Sequence, residues 1–260
     1  MKIVVLVKYV PDASSDRGFA ADATVDREGT DGLLSELDEY AVEQALRIAE
    51  EREDVEVVAL TLGPQQAADA IKRCLQMGAA AGIHVTDEAV HGTDSLGTST
   101  ILAAAISKAA PDLVICGMAS TDGAMGVLPS MVAERLGWPA ATLATTLTVS
   151  DTTVTIRRDV DVVSQTIQAD LPAVVSVTDQ SGEVRYPSMK GILSAKKKPV
   201  ERLSLEDLGV DAAGVGMAAA WTKVLETTPR APKEAGRVVT DADGAGAHAL
   251  AEFLTVGKYI

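Results

Sequence analysis

The chain has 260 residues, of which 47% are apolar, and this is enough to bury a sizeable core in one large domain or in a domain with an appendage. Its formal net charge of −14 at pH 7 argues against a general nucleic-acid binder, because neutralising phosphates requires a basic face. Aromatic residues make up only 3%, so the stacking platforms of single-strand binders are excluded as well.

The cysteines, the histidines and the apolar runs indicate the compartment of the protein and exclude some kinds of site. Cys74 and Cys116 have no cysteine nearby, which predicts buried thiols in a reducing compartment and no disulfide. The three histidines lack the spacing of a metal site, so we expect no metal. The first apolar run is too short for a signal sequence, and no later run approaches the about 18 residues of a membrane span. We expect a cytoplasmic protein without direct membrane insertion.

Four short runs rich in valine and isoleucine stand in the first half of the chain, and each precedes a longer segment with helical spacing. This alternation is typical of β–α units and predicts a parallel sheet. Ser35 and Asp38 resemble a capping box at the start of the first helix, and Gly78 is expected to end the second. The predicted strands are 3–7, 55–62, 82–85 and 113–116, and the later helices are predicted at 64–77, 94–110 and 126–136.

The pattern changes after Pro139. Segments 142–149, 153–158 and 164–168 are rich in β-branched residues and are predicted as antiparallel strands added to the sheet. Segment 171–177 is continuously apolar, which predicts a strand buried on both faces. From residue 180 onward we find no further sheet pattern. Residues 1–181 are therefore predicted to form an α/β domain and residues 182–260 an arm, with an extended linker at 226–246 and a helix at 247–256.

Ligands of open parallel sheets bind beyond the carboxyl ends of the strands, which directs attention to three loops: 9–34, 63–64 and 117–126. The third is the richest, because its glycines permit close backbone approach, Ser120, Thr121 and Asp122 supply polar groups, and a helix begins after it. The alternative reading is a tight turn that packs a helix. The loop is neither a Walker A motif nor a dinucleotide fingerprint.

We find no pair of nucleophile and base in the sequence. Asp151, Asp159 and Asp161 lie close to Arg157 and Arg158, but alternating charges on exposed strands are typical of a solvated face. Catalysis by this chain alone is therefore not expected. Residues 171–198 instead run from a buried-looking strand into a loop with Met189 among cations, and this pattern favours a surface that holds another protein.

Four segments carry a resemblance to a known family. They are Val4-Val-Leu-Val-Lys-Tyr-Val-Pro-Asp12, Asp38-Glu-Tyr-Ala-Val-Glu-Gln-Ala45, Met77-Gly-Ala-Ala-Ala-Gly-Ile-His-Val85, and the region 156–177 that leads into Ser188-Met-Lys-Gly-Ile-Leu-Ser-Ala-Lys-Lys-Lys198. Over essentially its full length the chain resembles the beta subunit of electron transfer flavoproteins. The resemblance implies an α/β, Rossmann-like (adenine nucleotide alpha hydrolase-like) three-layer fold with a mostly parallel sheet, added antiparallel strands and a C-terminal arm.

The resemblance also implies partners and cofactors. The chain would form a heterodimer with an alpha subunit that holds FAD, and the arm would contact that subunit. The pair would accept electrons from flavin dehydrogenases such as acyl-CoA dehydrogenases and pass them to a membrane-bound quinone oxidoreductase. The beta chain would act as an electron-carrier subunit without catalytic residues of its own, and its 1–181 domain would bind a structural AMP.

By the same resemblance, AMP would lie against the ends of the first, second and fourth strands. Bifurcating relatives bind a second FAD where others bind AMP, and this alternative stays open. Many family members have Asn-Pro where this chain has Ser35-Glu36, and the usual glycine pair of the signature is Val162-Val163 here. The matching cofactor residues are Leu6, Ser35, Leu37, Asp38, Leu62, Gly117, Asp122, Gly123, Met125, Gly126, Val127 and Leu128.

Residues 186–195 resemble the family's recognition loop, which docks dehydrogenases. Met189 stands at the contact position, where a flexible thioether suits several partners; the alternative is an ordinary core methionine. The predicted partner-binding residues are Tyr186, Met189, Ile192 and Leu193. The basic run 196–198 either steers acidic partners or keeps the arm solvated, and the second reading is favoured.

Two other functions remain as alternatives. The first is a stand-alone adenine-nucleotide-binding protein of the stress type, built on the same α/β core. Such a self-contained binder has no need for residues 180–260. The second is a nucleotide-hydrolysing enzyme, which the missing phosphate-gripping motifs oppose.

Overall fold

The computed structural model describes residues 1–15, 17–27, 29–228, 231, 236, 238–241 and 244–260. The described strands are β1 (Lys2–Leu6), β2 (Tyr9–Pro11), β3 (Gly32–Leu34), β4 (Glu56–Leu62), β5 (Ala81–Val85), β6 (Leu113–Gly117), β7 (Ala140–Ala144), β8 (Thr146–Val149), β9 (Thr153–Val160), β10 (Val163–Asp170), β11 (Ala173–Val177) and β12 (Val200–Leu203). The helices are α1 (Glu36–Glu51), α2 (Ala68–Met77), α3 (Ser95–Ala109), α4 (Leu128–Leu136), α5 (Met189–Ala195), α6 (Gly216–Ala219) and α7 (Ala245–Val256).

Seven parallel strands form the central sheet in the order β12-β5-β4-β1-β6-β11-β7. The alternation of side chains along β1 shows how its two faces are covered. Ile3 and Val5 lie in a buried cluster with residues of α1 and α2, whereas Val4 and Leu6 lie in a second cluster with residues of α3 and α4. The predicted three-layer α/β fold with a mostly parallel sheet is confirmed.

The four predicted β–α units are confirmed, with small shifts at their ends. Asp94 caps α3 by accepting a hydrogen bond from the Gly97 amide, and Gly78 ends α2 with a φ of +145°. Ser35 precedes α1 but makes no capping bond with its side chain. α2 begins at Ala68, four residues later than predicted and after a 3-10 turn at Gln65–Ala67, and α4 begins at Leu128, two residues later than predicted. Gly126 lies in the left-handed region there, which keeps the loop open before the helix.

Segment 142–149 is not a single antiparallel strand added to the sheet. Its first half belongs to β7, which is parallel to β11, and its second half is β8, which forms a separate antiparallel sheet with β9 and β10. Leu143 has a φ of +64° inside β7, where the pairing with β11 changes register between Ala141 and Ala144. Segment 171–177 contains β11, whose five residues are all buried as predicted.

A second difference concerns the chain after residue 180. β12 adds to the edge of the central sheet beside β5, and Leu203, Leu205 and Val215 are buried in the cluster with α3 and α4. The strand was missed because it has four residues, of which the first three are exposed, as is common for edge strands. Residues Met1–Thr227 form one compact unit and Thr228–Ile260 another. The functional division at residue 181 stays a prediction.

The second unit contains the predicted C-terminal helix as α7, and the ring of Tyr259, which follows the helix, lies 5.8 Å from that of Phe253 between centroids. The predicted linker at 226–246 lies partly outside the described residues. Within the part of the chain that the structure describes, no helix combines the length and the apolar character needed to cross a membrane.

Candidate functional site

Three neighbouring strands end at one edge of the sheet, because β1 pairs in parallel with both β4 and β6. Leu6, Leu62 and Gly117 are the last residues of these strands, and the loops that follow them form what we call the crevice. The side chain of Leu6 is buried and that of Leu62 packs against the same cluster of α3 and α4. Leu6 can therefore face a ligand mainly through its backbone, whereas the side chain of Leu62 is only half-buried.

Gly117 lets helix α1 approach the end of β6. A Cβ atom at this position would lie 2.5 Å from Asp38 Oδ1 and 2.9 Å from the carbonyl oxygen of Leu37, which is closer than real side chains tolerate. Ser35 is fully buried, and its Oγ accepts a hydrogen bond of 3.3 Å from the Thr121 amide. The first turn of α1 is thus joined directly to the loop after β6.

Asp38 is a buried carboxyl group at the base of the crevice. Its Oδ2 accepts a hydrogen bond of 2.9 Å from the Lys8 amide. Burial raises the pKa of Asp38 to about 7, although the Lys8 amide and charge and the Gly117 amide act in the opposite direction. Burial in the crevice therefore favours the protonated form of this side chain far more than in a solvated carboxyl group.

Asp122, in contrast to Asp38, is held in its charged form. Its side chain is only 3% exposed, yet it pairs with Lys8 Nζ at 2.8 Å and with a guanidinium nitrogen of Arg27 at 2.6 Å. Burial alone would raise the pKa of Asp122, but the charge of Lys8 and hydrogen bonds from Lys8 and Ser120 lower it to about 2. Arg17 donates a hydrogen bond of 2.8 Å to the Thr121 carbonyl. Three cations therefore converge on one loop, where they suit an anionic ligand.

The predicted cofactor residues divide into two groups. Ser35, Leu37, Asp38, Gly117 and Asp122 meet around Lys8 and the first turn of α1. The remainder of the glycine-rich loop is solvent-exposed and ends at the half-buried Leu128, the first residue of α4. The exposed residues are Gly123, Met125, Gly126 and Val127.

The sequence reasoning missed the three cations of the crevice. Lys8, Arg17 and Arg27 lie in the segment between β1 and α1. The sequence predicted only that this segment lies beside the strand ends. Their signal in the sequence was weak, since the same segment, residues 7–35, also carries six acidic residues. Their partners could not be read from the sequence, because Arg27 and Asp122 are 95 residues apart.

The predicted recognition loop is mostly a helix. α5 begins at Met189, and Ser188 caps it by accepting a hydrogen bond from the Gly191 amide. Tyr186, Met189 and Leu193 are 89%, 74% and 60% exposed, and we call these three side chains the docking surface. The exposure of Met189 rules out a core methionine, while Ile192 is half-buried.

The basic run after α5 is not uniform. Lys196 and Lys197 are exposed, but Lys198 is half-buried and donates a hydrogen bond of 2.8 Å from Nζ to the carbonyl of Leu75 at the end of α2. The expectation that all three lysines keep the chain solvated is therefore wrong for Lys198. Lys198 instead attaches the segment after α5 to the α/β unit.

The comparisons with known proteins agree on one family. The electron transfer flavoprotein domain matches residues 22–208. The chain is 43% identical over 265 residues to the electron transfer flavoprotein subunit beta of Mycobacterium leprae (strain TN), with 99% of each chain covered. The chain belongs to the electron transfer flavoprotein family. The resemblance to beta subunits is thereby confirmed, and with it a role in electron transport.

Two further relatives mark the breadth of this flavoprotein family. The chain is 35% identical over 242 residues to the electron transfer flavoprotein subunit beta of Bradyrhizobium diazoefficiens, with 93% of this chain and 94% of the relative covered. It is also 32% identical over 241 residues to the caffeyl-CoA reductase-Etf complex subunit CarD of Acetobacterium woodii, with 92% of each covered. Proteins of this family associate with a flavin.

Proposed function

We propose that this chain pairs with an alpha subunit and serves as the beta subunit of a heterodimeric electron carrier. The carrier accepts electrons from flavin dehydrogenases, such as acyl-CoA dehydrogenases, and passes them to the respiratory chain through a quinone oxidoreductase. The single observation that carries this proposal is the similarity to beta subunits over 99% of the chain. The free and buried thiols of Cys74 and Cys116 agree with a location in the cytoplasm.

The alpha subunit would hold most of the FAD, and the flavin supplies the redox chemistry when it is bound. This chain would contribute binding and positioning, not catalytic residues. The C-terminal arm, residues 182–260, would make the contacts with the alpha subunit. Apolar side chains that a partner could cover are present at the end of the first unit, where Trp221 and Leu225 are 86% and 93% exposed.

The crevice would hold AMP. An adenine nucleotide needs cations or backbone amides for its phosphate, and both are available: Lys8 and Arg27 stand beside Asp122, and the glycine-rich loop is exposed next to them. The first turn of α1 and the ends of the three strands would enclose the remainder of the nucleotide. The rival occupant is a second FAD, as in bifurcating relatives.

The nucleotide content of the purified heterodimer tests this assignment. We expect one FAD and one AMP after co-expression with the alpha subunit, denaturation and chromatography of the released nucleotides. Two FAD molecules would contradict the AMP assignment but leave the electron-carrier role in place. Isolation of this chain as a stable, colourless monomer with bound ATP would support the stand-alone nucleotide binder instead.

A lysine variant locates the nucleotide. Lys8→Met removes the cation that faces Ser120 and Asp122, so we expect the AMP content to fall at least several-fold. Lys72→Met is the matched control, because Lys72 is an exposed residue of α2 whose ion pair with Asp69 spans 3.6 Å. Equal loss of AMP in both variants would place the nucleotide elsewhere.

The docking surface would receive the dehydrogenases. Its three side chains are apolar or amphipathic and exposed next to the basic residues Lys196 and Lys197, a composition that suits a contact with another protein. We expect Met189→Ala to leave folding and AMP content unchanged and to slow electron transfer from a dehydrogenase. An unchanged rate would remove Met189 from the contact.

A further inference from the structure

Arg185 lies immediately before the docking surface and makes a dense set of contacts with helix α1. Its Nε lies 2.7 Å from Glu43 Oε2, and its two terminal guanidinium nitrogens reach both carboxylate oxygens of Glu50. The backbone amide of Arg185 donates to Glu43 as well, at 3.2 Å. Glu43 thus binds both the side chain and the backbone amide of Arg185.

Two neighbouring residues of α1 hold the chain just before Arg185. Gln44 donates a hydrogen bond of 2.7 Å to the Ser181 carbonyl, and Arg47 donates one of 2.9 Å to the Glu183 carbonyl. Arg47 also pairs with Glu43 at 2.7 Å. We call Glu43, Arg47, Glu50 and Arg185 the Arg185 cluster. Together with Gln44, the Arg185 cluster binds residues 181–185 to helix α1.

The contacts within the cluster favour the charged forms of Glu43 and Arg185. Burial alone would raise the pKa of Glu43, but hydrogen bonds from Arg185 and Arg47 hold it below its ordinary value. Hydrogen bonds with Glu50 and Glu43 in turn raise the pKa of Arg185. The side chain of Glu43 is only 5% exposed, so loss of its partners would leave a buried carboxylate without compensation.

The other end of the docking surface is attached to α2. Gly191 packs so closely that a Cβ atom would lie 2.4 Å from the Gln76 carbonyl oxygen, and Lys198 donates to the Leu75 carbonyl. Tyr186, Met189 and Leu193 therefore lie between two attachments, one on α1 and one on α2. All three side chains nevertheless remain exposed.

This arrangement has a consequence for binding. A partner that docks on a flexible segment has to order it, and the ordering weakens the complex. A segment that is already attached at both ends avoids this loss.

We propose that the Arg185 cluster is a positioning element of the docking surface, which holds Tyr186 and α5 in the arrangement that dehydrogenase partners bind. The inference depends on the proposed docking role. The cluster does not touch the crevice, so its loss is expected to weaken partner binding without changing the nucleotide content.

The experiment uses the co-expressed heterodimer as the electron acceptor of an acyl-CoA dehydrogenase. For Arg185→Gln we expect the KM for the heterodimer to rise about tenfold, with kcat and AMP content within twofold of wild type. Hydrogen exchange followed by mass spectrometry should show faster exchange in residues 182–195. Arg185→Lys keeps the charge but not the fork that joins two carboxylates, so its KM should be intermediate.

Arg52→Gln is the matched control. Arg52 is also 28% exposed and also stands at α1, where it pairs with Asp151 at 2.6 Å, but it is not attached to residues 181–185. We expect no change in KM or in exchange at 182–195. Glu50→Gln is a milder second variant, since the carboxylate is 61% exposed and its loss leaves the contacts with Glu43 in place. It keeps the test valid if Arg185→Gln folds poorly.

The outcomes separate this inference from the docking proposal. If Met189→Ala raises the KM but Arg185→Gln and Glu50→Gln do not, the docking surface stands and the positioning role is overturned. Faster exchange with an unchanged KM also overturns it. If Met189→Ala leaves the KM unchanged, the docking role is wrong and the inference is overturned with it.

Discussion

The crevice and the docking surface are joined to the same helix, α1, but they use charge in opposite ways. In the crevice the apolar side chains of Leu6 and Leu62 are packed inside, and the cations of the loop reach the open edge. At the docking surface the apolar side chains are outside, and the charges of the Arg185 cluster lie behind them against α1. Charge would therefore contact the proposed nucleotide in the crevice, whereas at the docking surface it attaches the chain to α1.

The crevice and the docking surface also differ in how closely their residues are packed. The base of the crevice is formed by backbone contacts between α1 and β6 that leave no room at Gly117. The docking surface is held at its two ends, and its middle is exposed. If this comparison is correct, small changes in the crevice should affect folding, whereas changes around the docking surface should mainly affect binding.

The largest effect is expected for Gly117→Ala. The added methyl group would meet Asp38 Oδ1 at 2.5 Å and the Leu37 backbone at 2.9 Å, so the first turn of α1 has to shift. We expect a loss of about 3 kcal/mol in the free energy of unfolding, measured with urea, together with loss of bound nucleotide. Gly214→Ala is the control, since nothing lies within 4 Å of its Cβ position. A loss below about 0.5 kcal/mol for Gly117→Ala would contradict the close contact.

Asp38 should make the stability depend on pH, an effect that is compared across pH values and not with substitutions at one pH. Its pKa is about 7 in the folded protein and 3.8 as a model group, so between these values the folded state binds more protons than the unfolded state. Stability contributed by Asp38 is complete below about pH 4 and is lost as the pH rises to 7, by up to about 1.4 kcal/mol per pH unit. Asp38→Asn should remove this slope in urea titrations at several pH values. The same slope in the variant would assign it to another group.

Asp122 should show the opposite sign. Its pKa is about 2 in the folded protein, so it contributes stability above pH 4 that is lost as the pH falls to 2. We expect Asp122→Asn to lower the free energy of unfolding by about 1 kcal/mol at pH 7 after allowance for solvent screening, and less at pH 3. A loss that does not depend on pH would argue against the ion pairs with Lys8 and Arg27.

The sequence predicted the parts of the molecule that depend on local pattern. β1, β4, β6 and β11 could be found because strands buried on both faces are continuously apolar, and the ends of three of them located the crevice. β12 could not be found, because a four-residue edge strand with exposed Glu201 and Arg202 has no apolar pattern. The division between β7 and β8 could not be found either, because the two strands are separated by Thr145 alone and pair with different partners far along the chain.

The charged contacts were hidden for a different reason. Arg27 meets Asp122 across 95 residues and Arg185 meets Glu43 across 142 residues. Each of these side chains is unremarkable where it stands in the sequence, because an isolated charge is most often solvated. Only the fold brings them together, and for this reason the sequence predicted the strand ends at the crevice but not the charged groups that meet there or behind the docking surface.

A small effect on stability is expected for Gly191→Ala. This variant compares the docking surface most directly with the crevice. The new methyl group would lie 2.4 Å from the Gln76 carbonyl oxygen, as close as the contact at Gly117, but α5 lies at the surface and can move away from α2. We expect a loss of only about 1 kcal/mol and a rise in the KM for the heterodimer, with AMP content unchanged. Similar clashes would then produce a folding defect in the crevice and a binding defect at the docking surface. A loss as large as that of Gly117→Ala would show instead that α5 is as firmly fixed as the crevice, and that exposure does not imply freedom to adjust.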